Sequence, residues 1–271
     1  MNLLLIIENV TRSLFDERNR EKRINITEQR ASGKKINVVT ELLLDGENNF
    51  NIFDFAVFSA VLSLSSASTN NVIAIKAISR FLGFSINNKN GDVEVIASLK
   101  KMAGANIKIR SPALDKVKKG KLQAYSAVPL LTGKILPAVI LSMKLRGQDS
   151  QVIRILDESP LLKFAKIKKQ IVMIDGAVIN PKLKIPNFRL TPQIIKIVFY
   201  VVWRIAQWNG KLKKVILLDT LCKSCAYDFE KKYKRQDLKK TLKILGEALK
   251  LQGFVALFEV DGRKIIFDFS P

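Results

Sequence analysis

Residues 231 to 251 place leucines and cations on opposite sides of one predicted helix. On a helix that turns about 100° per residue, four leucines fall within about 60° of one another. These are Leu238, Leu242, Leu245 and Leu249. Seven Lys or Arg side chains and one acid lie between positions 231 and 243. The segment therefore predicts a helix with one side in a core and the other side strongly cationic.

The cations of this helix repeat at a spacing that isolated helices avoid. Arg235, Lys239 and Lys243 follow one another at i,i+4, and Glu247 is the only acid on that row. Like charges at this spacing oppose helix formation by a few tenths of a kcal/mol per pair, roughly, whereas Glu placed before Lys supports it. The pattern favours a helix that meets a polyanion. A merely solvated cationic face is the alternative.

The elements around this helix follow a definite order. TPQIIKIVFYVVWRIAQW predicts a helix with Thr191 as N-cap and Pro192 at its first position. VILLDTLCKSCA predicts a short strand and a second helix capped by Asp219, and 231–251 is the third helix. FVALFEVDGRKIIFDF then predicts a hairpin around Asp261-Gly262. Three helices followed by a hairpin is the order of a winged helix.

The same order is predicted earlier in the chain. After a strand at 36–44, NIFDFAVFSAVLSLSS predicts a first helix capped by Asn51 and Asp54. VIAIKAISRFLGF predicts the second helix, and the segment from Asp92, its expected cap, to Gly104 predicts the third. A strand with Ile107 and Ile109, the basic loop DKVKKGK and the run LQAYSAVPLL predict the hairpin. A further hairpin at 135–156 is expected to extend this domain's sheet.

These patterns predict an α+β fold with two winged-helix domains in tandem. We expect a mobile or partner-dependent arm over residues 1–35. The first winged-helix domain, with its extra hairpin, is predicted at 36–180 and the second at 181–271. NPKLKIPNF is the predicted linker between them.

The net charge of +22 is unevenly distributed along the chain. Residues 1–98 contain 11 basic and 11 acidic side chains, so the remaining 173 residues carry all of the excess. A general tendency of the source proteome to use lysine would spread the charge evenly, so this asymmetry favours a functional cationic field over the middle and the C-terminal region. A solubility surface is the alternative.

The composition excludes several kinds of chemistry. The chain has no histidine, the commonest general base and neutral metal ligand. No P-loop and no close cluster of acidic residues is present. We therefore predict no catalytic residue, no metal site, no cofactor and no enzymatic activity. Acidic residues distant in sequence could still meet in the fold, so a nucleic-acid-processing enzyme stays an alternative.

The two cysteines, Cys222 and Cys225, form one CxxC within a predicted helix. Zinc would need a second ligand pair, and a redox motif would open a helix, so we interpret both as packed in the core. MNLLLIIENV lacks the positive charge of a secretory signal. The apolar segment 194–208 is short and contains Lys196 and Arg204, which indicates a core helix rather than a membrane span. We expect a soluble, cytoplasmic protein.

The predicted partner is double-stranded DNA. As the third helix of a winged helix, 231–251 would enter the major groove, with Arg235, Gln236 and Lys239 reading bases. Phosphate contacts are expected from Lys232, Lys240 and Lys243 on the helix and from Arg263 and Lys264 on the wing.

The first domain is expected to contact DNA more weakly. The candidate contacts are Lys100 and Lys101 on its third helix and Lys116, Lys118, Lys119 and Lys121 in its wing. Asp92 and Glu94 lie at the helix end that would approach phosphates, so this helix has a protein contact as its alternative role.

FDFAVFSAVLSLSSASTNNVIAIKAISRFLGF, followed by a helix and wing, resembles the first domain of plasmid replication initiators of the double winged-helix, repeat-binding class. LTPQIIKIVFYVVWRIAQWNGK through YKRQDLKKTLKILGEALKLQGFV is similar to their second domain. The resemblance covers about residues 36–270. It implies binding to repeated origin sites, a homodimer that represses transcription through its first domain, and a monomer that opens the origin, where host replication proteins are further partners.

Two other classes of function are compatible with the sequence. A transcriptional regulator of the same fold would bind a single palindromic operator and would not melt neighbouring A·T-rich DNA. A structural protein that binds RNA or acidic partners would prefer those ligands to duplex DNA.

Overall fold

The computed structural model describes most of the chain. It covers residues 2–6, 9–16, 23–28, 38–45, 50–68, 71–85, 88–111, 130–145, 148–180, 190–208, 214–229 and 231–269. Within these ranges the chain is a mixed α and β protein with small antiparallel sheets, so the predicted mixture of helices and small sheets is confirmed. The linker from residue 181 and the basic loop at 115–121 lie outside the described residues.

The N-terminal region contains three strands and one helix. These are β1 (Asn2–Ile6), α1 (Asn9–Phe15), β2 (Arg23–Glu28) and β3 (Val38–Asp45). The predicted strand at 36–44 is thus present as β3.

The first helical unit contains α2 (Ile52–Ser66), β4 (Val72–Ala74), α3 (Ile75–Phe81) and α4 (Lys89–Gly104). Asn51 and Asp54 form the expected capping box, in which the Asn51 side chain accepts from the Phe53 and Asp54 amides and Asp54 accepts from the Asn51 amide. Two local predictions were wrong. VIA is a strand rather than part of a helix, and Asn88, whose side chain accepts from the Gly91 amide, is the cap in place of Asp92.

Four strands follow α4, and they divide between two sheets. They are β5 (Asn106–Arg110), β6 (Leu130–Lys134), β7 (Ala138–Leu145) and β8 (Gln148–Ile155). The first pair joins the N-terminal strands in the order β2-β3-β5-β6, whereas the second pair forms a separate sheet in the order β4-β8-β7. The hairpin predicted at 135–156 is therefore present, but it does not extend the sheet that contains β5.

The second unit repeats the helical order of the first. After α5 (Pro160–Lys168), β9 (Ile171–Asp175) and a 3-10 turn (Gly176–Ile179) come α6 (Pro192–Trp208), β10 (Lys214–Leu217), α7 (Leu218–Ser224), α8 (Lys232–Leu251), β11 (Leu257–Asp261) and β12 (Lys264–Asp268). Thr191 caps α6 as predicted, because its hydroxyl accepts from the Ile194 amide. Asp219 was wrongly predicted as a cap, since α7 begins after Leu217 without a side-chain cap.

The two units share one topology. In the second unit the strand before α7 pairs with the last strand of the hairpin, in the order β10-β12-β11. In the first unit β4 pairs in the same way with β8 of the β7–β8 hairpin. The hairpin equivalent to β11–β12 is therefore 138–155, and the pair β5–β6 has no counterpart among the described residues of the second unit. Of the predicted wing, the strand with Ile107 and Ile109 is β5, whereas LQAYSAVPLL lies outside the described residues except for its last two, which begin β6.

A continuous core joins the two units. Phe55 of α2 packs against Phe199 and Trp203 of α6, at centroid distances of 5.1 and 5.8 Å. Phe15 of α1 stacks on Phe55 at 4.9 Å. One cluster of buried hydrophobic side chains runs through both units.

The N-terminal strand belongs to this joint. β1 pairs with β9, and Leu3, Leu5 and Ile6 are completely buried. The Leu4 amide donates to the Ser63 hydroxyl of α2, and the Trp203 indole donates to the Ile6 carbonyl. This first part of the predicted 1–35 arm is therefore packed, because its short apolar run finds a partner strand about 170 residues away.

Candidate nucleic-acid interface

The third helix of the second unit has the predicted two-sided structure. Leu238, Leu242, Leu245 and Leu249 are at most 1% exposed. The polar side is exposed at Gln236, Lys239, Lys240, Lys243 and Lys250. The cationic face of α8 is therefore available to a ligand from Gln236 to Lys243, about two turns of helix, and the exposed acid Glu247 separates it from Lys250.

The outermost row of this face includes a residue that the sequence analysis missed. Measured around the helix, Tyr233, Gln236 and Lys240 lie about 150 to 170° from the centre of the leucine row, on the side of the helix opposite to it. Tyr233 is 57% exposed. The signal in the sequence was an aromatic residue on the polar side of the predicted helix, where only the basic residues and Gln236 were considered.

Arg235 occupies a different position from the one predicted for a base reader. It lies about 50° from the centre of the leucine row, on the flank of α8. Its Nε donates to the Phe229 carbonyl at 2.7 Å, and its guanidinium lies 5.2 Å from the centroid of the Phe229 ring. Arg235 thus ties the start of α8 to the preceding turn, which argues against its guanidinium being the primary base contact.

Two more contacts fix the turn before α8. Lys234 pairs with Asp228 at 2.9 Å, and this hydrogen bond raises the pKa of the lysine above its ordinary value. The Tyr227 hydroxyl donates to the Lys234 carbonyl at 3.0 Å, and burial is the main cause that raises the pKa of Tyr227. These contacts hold the N-terminal turn of the helix, the end that enters the groove in helix-turn-helix proteins, in one orientation.

The C-terminal hairpin packs closely under the same helix. A methyl group added at Gly246 of α8 would collide with the Phe258 ring of β11. Glycine is therefore needed at this contact between helix and hairpin.

The turn of this hairpin is exposed. Gly262, with φ of 52°, and Arg263 lie between the paired residues Asp261 and Lys264. Arg263 and Lys264 are both exposed, and Arg263 makes a long ion pair of 3.9 Å with Asp219. Both predicted wing contacts thus lie at the tip of the hairpin.

Lys101 of the first unit is already used inside the fold. Its ammonium is 2.7 Å from Oδ2 of Asp54, whose side chain is 3% exposed. It also lies 5.7 Å from the centroid of the Phe50 ring. This geometry argues against the predicted role of Lys101 as a DNA contact.

Of the other DNA contacts predicted for the first unit, one lies on the surface and the rest lie outside the described residues. Lys100 is exposed on α4. Asp92 accepts a hydrogen bond from the Ser79 hydroxyl at 2.5 Å, so this acid is tied to α3. Lys118 and Lys119 lie outside the described residues, as does the side chain of Lys232 in the second unit.

The cysteines are buried free thiols. Cys222 is 5% exposed and Cys225 is fully buried. Burial, with a smaller contribution from Asp219, raises the pKa of the Cys222 thiol to about 11, which keeps it protonated at neutral pH. Among the described residues, no three His, Cys, Asp or Glu side chains come together in a group that could hold a metal ion.

No helix in the described part of the chain is both long and apolar enough to cross a membrane.

Comparison with known proteins identifies a likeness of fold. The sequence matches no family profile and no curated protein. A crystal structure of RctB domains 2–3 (residues 155–483) superposes with a TM-score of 0.52 and 14% sequence identity, over 96% of this chain and 95% of that one. A structure of selenomethionine derivatives of domains 2 and 3 of RctB gives a TM-score of 0.48 and 12% identity, over 97% and 96% of the two chains. The first superposition shows that the overall fold of this chain is similar to that of RctB domains 2–3.

Proposed function

We propose that this chain is a double-stranded DNA-binding protein built from two winged-helix units. The exposed cationic face of α8, above a hairpin with Arg263 and Lys264 at its tip, is the observation that carries the proposal. The order α6, β10, α7, α8, β11, β12 supports the winged-helix interpretation. In such a unit the third helix enters the major groove and the wing contacts the backbone or the minor groove.

The biological role we propose is initiation of replication of a plasmid or mobile element by binding repeated origin sites in the cytoplasm. The sequence resemblance to repeat-binding initiators supports this role over most of the chain. The fold shared with RctB domains 2–3 is compatible with it and extends over both units. We propose no enzymatic activity. Metal-dependent cleavage of plasmid DNA that a chelator abolishes would contradict that part.

The test is selection of bound duplexes from a random pool at about 0.2 M salt, where non-specific attraction to phosphate is weak. A long directional motif that recurs as tandem copies beside A·T-rich DNA is expected for an initiator. Enrichment of a single palindrome would instead identify a transcriptional regulator. No enrichment of any duplex sequence would contradict the proposal, and stronger binding to RNA would favour the RNA-binding alternative.

We further propose that β7, the edge strand of the β4-β8-β7 sheet, carries the homodimer contact. Val139, Leu141 and Met143 of the edge strand β7 are 38, 43 and 42% exposed and face the same side, because alternate residues of a strand share a face. Long, apolar edge strands are sites of pairing between chains. If β7 pairs with β7 of a second copy about a twofold axis, the β7 edge of each copy is covered by the other, and the assembly is limited to two chains.

A further inference from the structure

Tyr233 lies where a base-contacting residue of a recognition helix would lie, and unlike the neighbouring lysines it has no positive charge with which to bind phosphate. It lies in the first turn of α8, on the outermost row with Gln236 and Lys240. The hydrogen bonds that fix the preceding turn use Tyr227, Asp228 and Phe229 instead. Tyr233 is therefore not needed to hold the helix in place.

The chemistry of an exposed tyrosine ring selects one kind of base-pair edge. In the major groove only thymine presents a methyl group, and apolar side chains contact it there. A phosphate oxygen can accept a hydrogen bond from the phenol but makes no apolar contact with the ring, whereas the thymine methyl offers an apolar contact at the groove floor. The phenol can in addition donate a hydrogen bond to the O4 acceptor of the same thymine.

The neighbour on the same row constrains where this base lies. Gln236 is one turn further along α8 and is suited to adenine, which it can contact with two hydrogen bonds. The two residues are about 4.5 Å apart along the helix axis, compared with about 3.4 Å for one base step.

From this geometry we propose that Tyr233 reads the methyl group of a thymine within about one or two base pairs of an adenine read by Gln236. The inference rests on the proposed DNA-binding function and adds a specificity-determining residue to it. The thymine is recognised by a contact that uracil lacks.

The test uses the full-length chain and the duplex that selection enriches. Each thymine near the site is replaced in turn by deoxyuridine, which removes the methyl and leaves base pairing unchanged. We expect one replacement to weaken binding of the natural protein by about fourfold, as for the loss of one buried methyl contact. Tyr233→Ala should bind the thymine and uracil duplexes equally, whereas Tyr233→Phe, which keeps the ring, should retain the sensitivity to the methyl.

The outcomes separate the inference from the function beneath it. If a duplex is enriched but the natural protein is indifferent to deoxyuridine at every thymine, or Tyr233→Ala keeps the same sensitivity, the role of Tyr233 is wrong and DNA binding stands. If no duplex is enriched, the proposed function fails and this inference fails with it. Circular dichroism of Tyr233→Ala checks that the substitution, at a 57% exposed position, leaves the fold intact.

Discussion

The third helices of the two units have the same core and opposite surfaces. Val95, Leu99 and Met102 of α4 are buried at the positions that Leu238, Leu242 and Leu245 occupy in α8. In this register the outer row of α4 reads Asn90, Val93, Ala97, Lys100, where α8 has Tyr233, Gln236, Lys240, Lys243. The outer row of α4 thus contains one cation, whereas that of α8 contains two, together with Tyr233 and Gln236.

The outer faces of the two three-stranded sheets differ in the number of charged side chains and not in their apolar area. In the first unit that face includes Val139, Leu141 and Met143, with Arg154 as an exposed charge beside Val139. In the second unit the same face combines exposed apolar side chains with exposed charges, which are Val215, Leu217, Leu257, Glu259, Asp261 and Lys264. The comparison teaches that one scaffold supports two sheet faces of similar apolar content, of which that of the first unit is the less charged.

The largest expected effect comes from charging the apolar sheet. Leu141→Lys should weaken self-association about a hundredfold, because it brings like charges together in the proposed dimer. Leu217→Lys is the matched control, since Leu217 is 50% exposed on the equivalent sheet of the second unit. Sedimentation equilibrium of both variants and of the natural protein measures the effect. Equal weakening by the control, or a natural protein that is monomeric throughout, would contradict the proposed contact.

A smaller effect is expected from removing cations on the two helices. Lys240→Gln with Lys243→Gln should lower the slope of log affinity against log salt by about 2, which corresponds to about twentyfold at 0.2 M salt. Lys89→Gln with Lys100→Gln removes the same charge from α4 and should change the slope much less. Titration of the selected duplex at several salt concentrations measures both. An equal reduction of the slope in both double variants would mean that the net positive charge of the whole protein, and not the face of α8, attracts the DNA.

Lys101→Met tests whether Lys101 of the first unit stabilises the fold or contacts DNA. It leaves the Asp54 carboxylate buried without its lysine, although the Asn51 amide still donates to it. We expect a loss of about 2 kcal/mol in the free energy of unfolding by urea. The salt dependence of DNA binding should stay that of the natural protein. A reduced slope with unchanged stability would restore Lys101 as a DNA contact.

The smallest expected effect tests the packing beneath α8. Gly246→Ala should lower the free energy of unfolding by about 1 kcal/mol, because the added methyl meets the Phe258 ring and this cost exceeds the gain in helix propensity. Gly104→Ala, at the end of α4, meets open space and should be neutral or slightly stabilising. Thermal unfolding of the pair measures the difference, and equal melting temperatures would show that the helix and hairpin can separate slightly at no cost.

Local patterns were sufficient to predict several elements of this fold. The leucine spacing predicted α8, and Asn51, Asp54 and Thr191 predicted the starts of α2 and α6. In each case the residues that determine the structure lie within one or two helical turns of one another. Caps and helical periodicity are therefore readable without knowledge of the partner that each element packs against.

The features that the sequence analysis missed depend on partners distant in sequence. The alternation of a strand does not say which strand it pairs with, so the wing of the first unit was predicted from β5 and the run LQAYSAVPLL, whereas the equivalent hairpin is β7–β8. The partner of β1 is about 170 residues away, and that of Lys101 is Asp54 of another helix. For the candidate site, charge spacing predicted the cationic face of α8, and helical geometry alone puts Arg235 on the flank of that face, but the contacts of Arg235 with Phe229 depend on a turn that the pattern does not encode.

The aromatic contact between α2 and α6 has a consequence for how the molecule unfolds. Phe55, Phe199 and Trp203 belong to one buried cluster that includes the cores of both units. Elements that share a core lose their packing together, so the chain is two units by topology and a single cooperative unit in its thermodynamics. Loss of the Lys101–Asp54 ion pair in the first unit is then expected also to lower the temperature at which α8 of the second unit melts.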